Sequence, residues 1–155
     1  MNKLQIIIDG EIYTSEQSTN LVTTLYIDYY GICFPDNQWA DFSSVLNMWS
    51  CTLLEHSGKS EANFALYFMD GPFRLDVIKD KDMKLTIQCV NCRKDEVVET
   101  TISCDYVDLL SAVYHALQKF AKMLHEKDMS QGKYKLAYEQ AITTMKALKN
   151  LIDKY

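Results

Sequence analysis

The chain has 155 residues, of which 48% are hydrophobic and 24% charged, with five Gly and two Pro. At 17.9 kDa it is long enough to bury one full core; this composition excludes a disordered tail, a collagen and a coiled-coil rod, and the few Gly and Pro argue against a loop-dominated or solenoid chain. The net charge of −5 disfavours a nucleic-acid groove as its main purpose.

The N-terminal run Lys3 to Ile8 reads as a strand, and Asp9-Gly10 as a hairpin turn signal with Glu11 to Thr14 as its short partner. Ser15 to Asn20 is a polar loop. Leu21 to Phe34 is a long strand pattern rich in Val, Thr, Ile and Tyr, with Gly31 marking a bulge or bend. Within it Leu25, Ile27 and Tyr29 face one way, and Tyr26, Asp28 and Tyr30 the other. Pro35-Asp36 stops the strand, and Asp36 is placed to N-cap a helix over about 36–56. Trp39, Phe42, Leu46, Trp49 and Leu53 supply its apolar stripe.

Residues 62–102 read as an antiparallel meander, with turns at Asp70-Gly71-Pro72, Asp80-Lys81-Asp82 and Arg93-Lys94-Asp95. Two helices end the chain. Asp105 with Asp108 three residues on resembles a capping box, opening a helix to about 127 striped by Val107, Leu110, Tyr114, Leu117, Ala121 and Leu124. A second, over about 133–154, is striped by Tyr138, Ala141, Ile142, Met145, Leu148 and Ile152. Their short connection predicts an antiparallel pair. The fold class expected is therefore α+β in a single domain over 1–155. An antiparallel sheet of five to seven strands packs on helices, with one inserted helix and a C-terminal helix pair.

No stretch approaches the ~20 apolar residues of a membrane span, and Ile6-Ile7-Ile8 is too short for a signal sequence. The five cysteines (Cys33, Cys51, Cys89, Cys92 and Cys104) are an odd number without a framework pattern, so reduced, mostly buried thiols in a cytoplasm are expected. Cys89-x-x-Cys92, Cys104 and His115 form a formal Cys₃His set. However, Cys89 falls inside a strand pattern, and no knuckle glycine lies between the first two thiols. The reading is core or strand-end cysteines and no metal. No helix follows Cys89 to activate a redox pair. His115 and His125 fall on a polar helix face and His56 in a loop. No nucleophile elbow, zincin, Walker or dinucleotide motif is present. The expectation is a protein that is not an enzyme and takes no cofactor.

Residues 1–58 hold one basic and seven acidic side chains, a net −6. Most aromatics read as core. The exception is Tyr26, Asp28 and Tyr30 on an outward face, because tyrosine is enriched in binding hot spots. They form the centre of the candidate partner-binding site. Asp36 and Asp41 in the first turn of the following helix are further candidates, although the helix dipole alone explains carboxylates there. Glu11 and Glu16 are candidates at the rim.

The segment Phe34-Pro35-Asp36-x-x-Trp39-x-Asp41-Phe42, continued by Val45-Leu46-x-x-Trp49, and the segment Phe68-Met69-Asp70-Gly71-Pro72-Phe73 before the meander carry a resemblance. Over roughly residues 34–120 the chain resembles small acidic immunity proteins encoded beside bacterial polymorphic or contact-dependent growth-inhibition toxins. Met48-Trp49 supplies one tryptophan where that family often has a pair. The resemblance implies a non-catalytic inhibitor that binds a cognate toxin domain. A basic, nuclease-like toxin domain would suit the acidic charge. No nucleic acid or membrane is expected as a partner. The alternatives are a structural or regulatory interaction module, homodimeric in one form, and a small-ligand-binding protein with an aromatic-lined pocket.

Overall fold

The computed structural model describes residues 3–14 and 20–155. It has an α+β fold of two antiparallel sheets, each of four strands, and three helices. The single sheet expected from the sequence is thus split in two, because the first helix separates the first four strands from the meander.

In the first sheet β1 (Leu4–Thr14) pairs with β2 (Leu21–Tyr29). Asp9-Gly10 makes no hairpin. Gly10 takes φ 73° and the register slips between Asp9 and Tyr13, so the pair of residues that promised a turn forms a bulge inside one strand. The predicted strand over 21–34 also divides. β2 ends at Tyr29, Tyr30 and Gly31 turn the chain, and β3 (Ile32–Phe34) folds back along β2. After a loop, β4 (Ala40–Phe42) pairs with the other half of that same edge. β3 and β4 together thus act as one interrupted strand beside β2.

Helix α1 (Ser44–Glu55) starts eight residues after Asp36, with Ser43 as its N-cap residue. Trp39 and Phe42 mimic helical spacing with Leu46, but they lie in and beside β4, where pairing with β2 overrides the local pattern. Leu46, Trp49 and Leu53 do form the buried stripe of α1.

The second sheet is the expected meander, β5 (Ala62–Tyr67), β6 (Phe73–Lys79), β7 (Lys84–Asn91) and β8 (Val97–Asp105) in sequential order. Its buried face alternates Leu75 and Val77 with Leu85, Ile87 and Cys89. A bulge displaces Glu99 in the edge strand β8. Helix α2 (Tyr106–His125) follows directly and packs against α3 (Gly132–Ile152) and β1. Asp105 N–H donates to Asp108 Oδ2 at 2.9 Å, as the capping-box reading requires.

One continuous core joins both sheets and all three helices. An aromatic seam crosses between the sheets. Phe34 meets Phe68 and Phe73 at 5.8 and 5.6 Å, Trp39 meets Phe73 at 5.0 Å, and Trp49 meets Phe68 at 5.1 Å, all edge-on. Among the described residues no helix is long and apolar enough to cross a membrane.

Candidate functional site

Alternation along β2 sends Leu25 and Ile27 into the core and leaves Tyr26 and Asp28 half-buried on the outer face of the first sheet. Opposite them on β1 stand Ile7 and Gln5, and opposite Asp28 on β3 stands Cys33. Tyr30 is not on this face. It occupies the turn after β2, at φ 53° and 63% exposed. The corrected geometry therefore puts a projecting phenol at the hairpin tip beside a flatter Tyr26–Asp28 surface.

Asp28 has a structural task as well as a charge. Its Oδ1 accepts from Gly31 N–H at 2.9 Å, fixing the tip, while Oδ2 lies 3.8 Å from Cys33 Sγ. Asp36 lies in the loop after β3, not in a helix, and its Oδ1 accepts from Gln38 N–H at 2.8 Å. This is an Asx turn. Burial, then the charges of Asp28 and Asp36, push the Cys33 thiol up. Burial, then Cys33, Asp28 and Asp9, push the Tyr26 phenol up. Tyr26, Asp28, Cys33 and Asp36 thus share one electrostatic neighbourhood.

Asp41 departs from the expected helix-turn position. It lies in β4 and is fully buried. Its carboxylate gathers four donors: Trp39 Nε1 at 3.0 Å, Phe42 N–H at 2.8 Å, Met69 N–H at 3.1 Å and Asp70 N–H at 3.1 Å. Burial pushes this carboxyl up, while the donors pull it down. Asp41 ties the first sheet to the β5–β6 turn and presents no surface. The Trp39-x-Asp41 spacing, which puts indole and carboxylate on one side of a strand, was the signal for this role.

Glu11 is exposed in the β1 bulge, 3.6 Å from Lys127 Nζ, and Asp9 beside it lies 4.0 Å from Lys119 Nζ. Lys119 of α2 and Lys127 just after the helix thus engage the acids of the bulge. Glu16 lies outside the described residues. By contrast, no ion pair reaches Asp28 or Asp36 among the described residues. Exposed Ile32, missed in the sequence reading, adds apolar surface next to Tyr30. An apolar side chain in a short strand beside a glycine turn was its available signal.

Cys89 is buried in β7, and burial pushes its thiol up to about 12. Cys92, at the strand end, receives Arg74 Nη1 at 3.2 Å. Arg74 also forms a fork with Asp76 and a 3.0 Å pair with Glu96. Among the described residues no three His, Cys, Asp or Glu side chains are placed to hold a metal ion. The concave surface between α1 and α3, about 530 Å³, is lined by Met48, Leu136, Asn47, Gln140 and Thr144 among others, with no aromatic ring.

No protein-family model matches the chain, and neither a curated protein nor a solved structure matches it.

Proposed function

We propose that this chain is a non-catalytic binding protein that neutralises a cognate toxin domain, docking it on the acidic outer face of the first sheet. The observation that carries this reading is the distribution of charge. Between Lys3 and Lys59 the sequence contains no Lys or Arg. The lysines that reach this sheet, Lys119 of α2 and Lys127 just beyond it, sit at Asp9 and Glu11, so no ion pair among the described residues offsets the charge of Asp28 and Asp36. A face of one sign attracts a partner of the other, raising the association rate and setting orientation. A basic domain, as nucleases need for phosphate binding, is the complementary partner. The resemblance of residues 34–120 to immunity proteins supports the same reading.

The test is stopped-flow and calorimetric titration of the chain against the C-terminal domain of the protein encoded immediately upstream. Binding is expected, with an association rate that falls as salt rises. Asp28→Asn with Asp36→Asn keeps both turn acceptors while removing two charges. That variant is expected to associate about tenfold more slowly at low salt, with a shallower salt dependence. Absence of binding by the parent chain refutes the proposal.

A further inference from the structure

Among the described residues two non-glycine positions adopt positive φ, Met83 at 63° and Tyr30 at 53°. The first has an explanation within the fold. Met83 is half-buried against the core, and its carbonyl accepts from Tyr106 N–H at 2.8 Å, at the start of α2. Tyr30 has no comparable role. It is 63% exposed, and its ring makes one edge-on contact, with Tyr29 at 4.7 Å.

The turn itself calls for a different residue. Tyr29 pairs with Ile32, so Tyr30 and Gly31 are the whole loop, and both have positive φ (53° and 83°). That is the geometry of a type I′ hairpin, in which Asn, Asp or Gly is favoured at the first central position because a larger side chain is strained there. The chain keeps an aromatic residue in a strained, solvent-facing place where Asn would serve the fold better. Strain held at an exposed position points to use by something outside the fold.

The tip is also rigid. Asp28 Oδ1 holds Gly31 N–H, and Tyr29 Oη donates to the Ser103 carbonyl at 3.2 Å, fastening the hairpin to β8. Next to Tyr30, Ile32 is 54% exposed. A tyrosine carried on a held backbone orders only its two side-chain torsions on binding, at low entropy cost. Asp28 and Asp36 flank one side. On the other, a cleft beside Tyr29 and Tyr30 is lined by Lys3, Asp105 and Asp108, and Lys84 pairs with Asp105, so the uncompensated acids lie on the Asp28–Asp36 flank.

We infer that Tyr30 and Ile32 form the anchor of the interface, entering an apolar notch ringed by Lys or Arg on a basic protein partner. This rests on the function proposed above, in which the acidic face steers the encounter. It adds that the affinity resides in the tip.

The experiment compares three proteins: the parent chain, Tyr30→Asn, and Tyr67→Thr as a control at a 58% exposed tyrosine of the other sheet. Each is titrated with the C-terminal domain of the upstream-encoded protein and melted alone. Tyr30→Asn is expected to weaken binding about 30-fold or more, through a faster dissociation rate, as loss of a hot spot does. Its melting temperature is expected to equal or exceed that of the parent, because Asn-Gly suits the turn. Tyr67→Thr is expected to bind as the parent does. Parent-like affinity in Tyr30→Asn overturns the anchor and leaves the acidic-face reading standing. A markedly lowered melting temperature in Tyr30→Asn shows that the phenol serves the fold, and also overturns it. Failure of the parent chain to bind overturns both readings together.

Discussion

Lys79 Nζ lies 4.4 Å from the centroid of the Tyr106 ring and donates to the carbonyls of His56, Ser57 and Lys59 at 3.0, 3.3 and 2.6 Å. The side chain is 1% exposed, yet no carboxylate pairs with it among the described residues. It serves the C-terminal end of α1, where backbone carbonyls lack helical partners and the helix dipole is negative. The Tyr106 ring face adds a cation–π contact. Removing the ammonium takes a charged donor from three part-buried carbonyls, so Lys79→Met is expected to destabilise the fold by about 2 kcal/mol. Urea denaturation checks it, and a loss below about 1 kcal/mol would mean that water takes over those carbonyls.

Asp41 is expected to matter to stability and not to partner binding. Asp41→Ala leaves the Met69 and Asp70 N–H groups and the Trp39 indole N–H without their acceptor, at an expected cost of about 3 kcal/mol. Asp41→Asn keeps part of the network and is expected to cost about half as much. Guanidinium melts give the stability, and stopped-flow salt dependence against the upstream-encoded domain gives the charge effect. A change in that salt dependence for folded Asp41→Asn would restore Asp41 to the interface.

Gly71 tests the same joint from its other side. A Cβ at Gly71 would lie 2.7 Å from Trp39 Cη2 and 2.8 Å from Cζ2, so Gly71→Ala must displace the indole that donates to Asp41. The expected loss is about 2 kcal/mol, as for overpacking. Because one indole links the two sites, Gly71→Ala and Asp41→Asn are expected to be non-additive by about 0.5 kcal/mol or more in a double-mutant cycle. Strict additivity would separate the two residues energetically.

Alkaline pH is expected to destabilise the protein. Burial pushes the thiols of Cys89 and Cys104 up to about 12 from an ordinary 9.0, and burial also raises Tyr106. Above about pH 9 the unfolded chain sheds these protons while the folded chain keeps them, so unfolding becomes easier as pH rises. Each such group contributes a slope of about 1.4 kcal/mol per pH unit. Lys79, lowered by burial, acts in the opposite sense, as one group against these three and the raised Cys33 and Tyr26. Below pH 9 the three groups are protonated in both states and exert no slope. Urea midpoints measured from about pH 8 upward test this, and Cys89→Ala is expected to flatten the decline. A midpoint that rises steadily above pH 9 would contradict it.

The regions that were readable in the sequence are those where local pattern and tertiary demand agree. The meander and the C-terminal helix pair have long, regular periodicity, and the Asp105–Asp108 cap forms as its spacing suggests. The errors cluster in residues 9–43, where short signals carry more than one meaning. Asp9-Gly10 suits a bulge as well as a turn. The Trp39, Phe42, Leu46 spacing suits a helix, but partners distant in sequence decide the outcome: the β2 edge and the N–H groups of Met69 and Asp70. For the candidate site, alternation was enough to bring Tyr26 and Asp28 to one face. The position of Tyr30 was not legible, because an aromatic residue contradicts the preference of the turn it occupies.

The buried face of β1 packs against α2, and α2 begins at Tyr106. The first sheet is therefore made early in synthesis and covered late. Leu4, Ile6 and Ile8 have no apolar cover from that helix until the last third of the chain has left the ribosome. Contacts so distant in sequence slow folding and leave this apolar surface open to aggregation meanwhile. A chain cut short before α2 should be captured by chaperones or precipitate, even though every residue of the acidic face is already present in it.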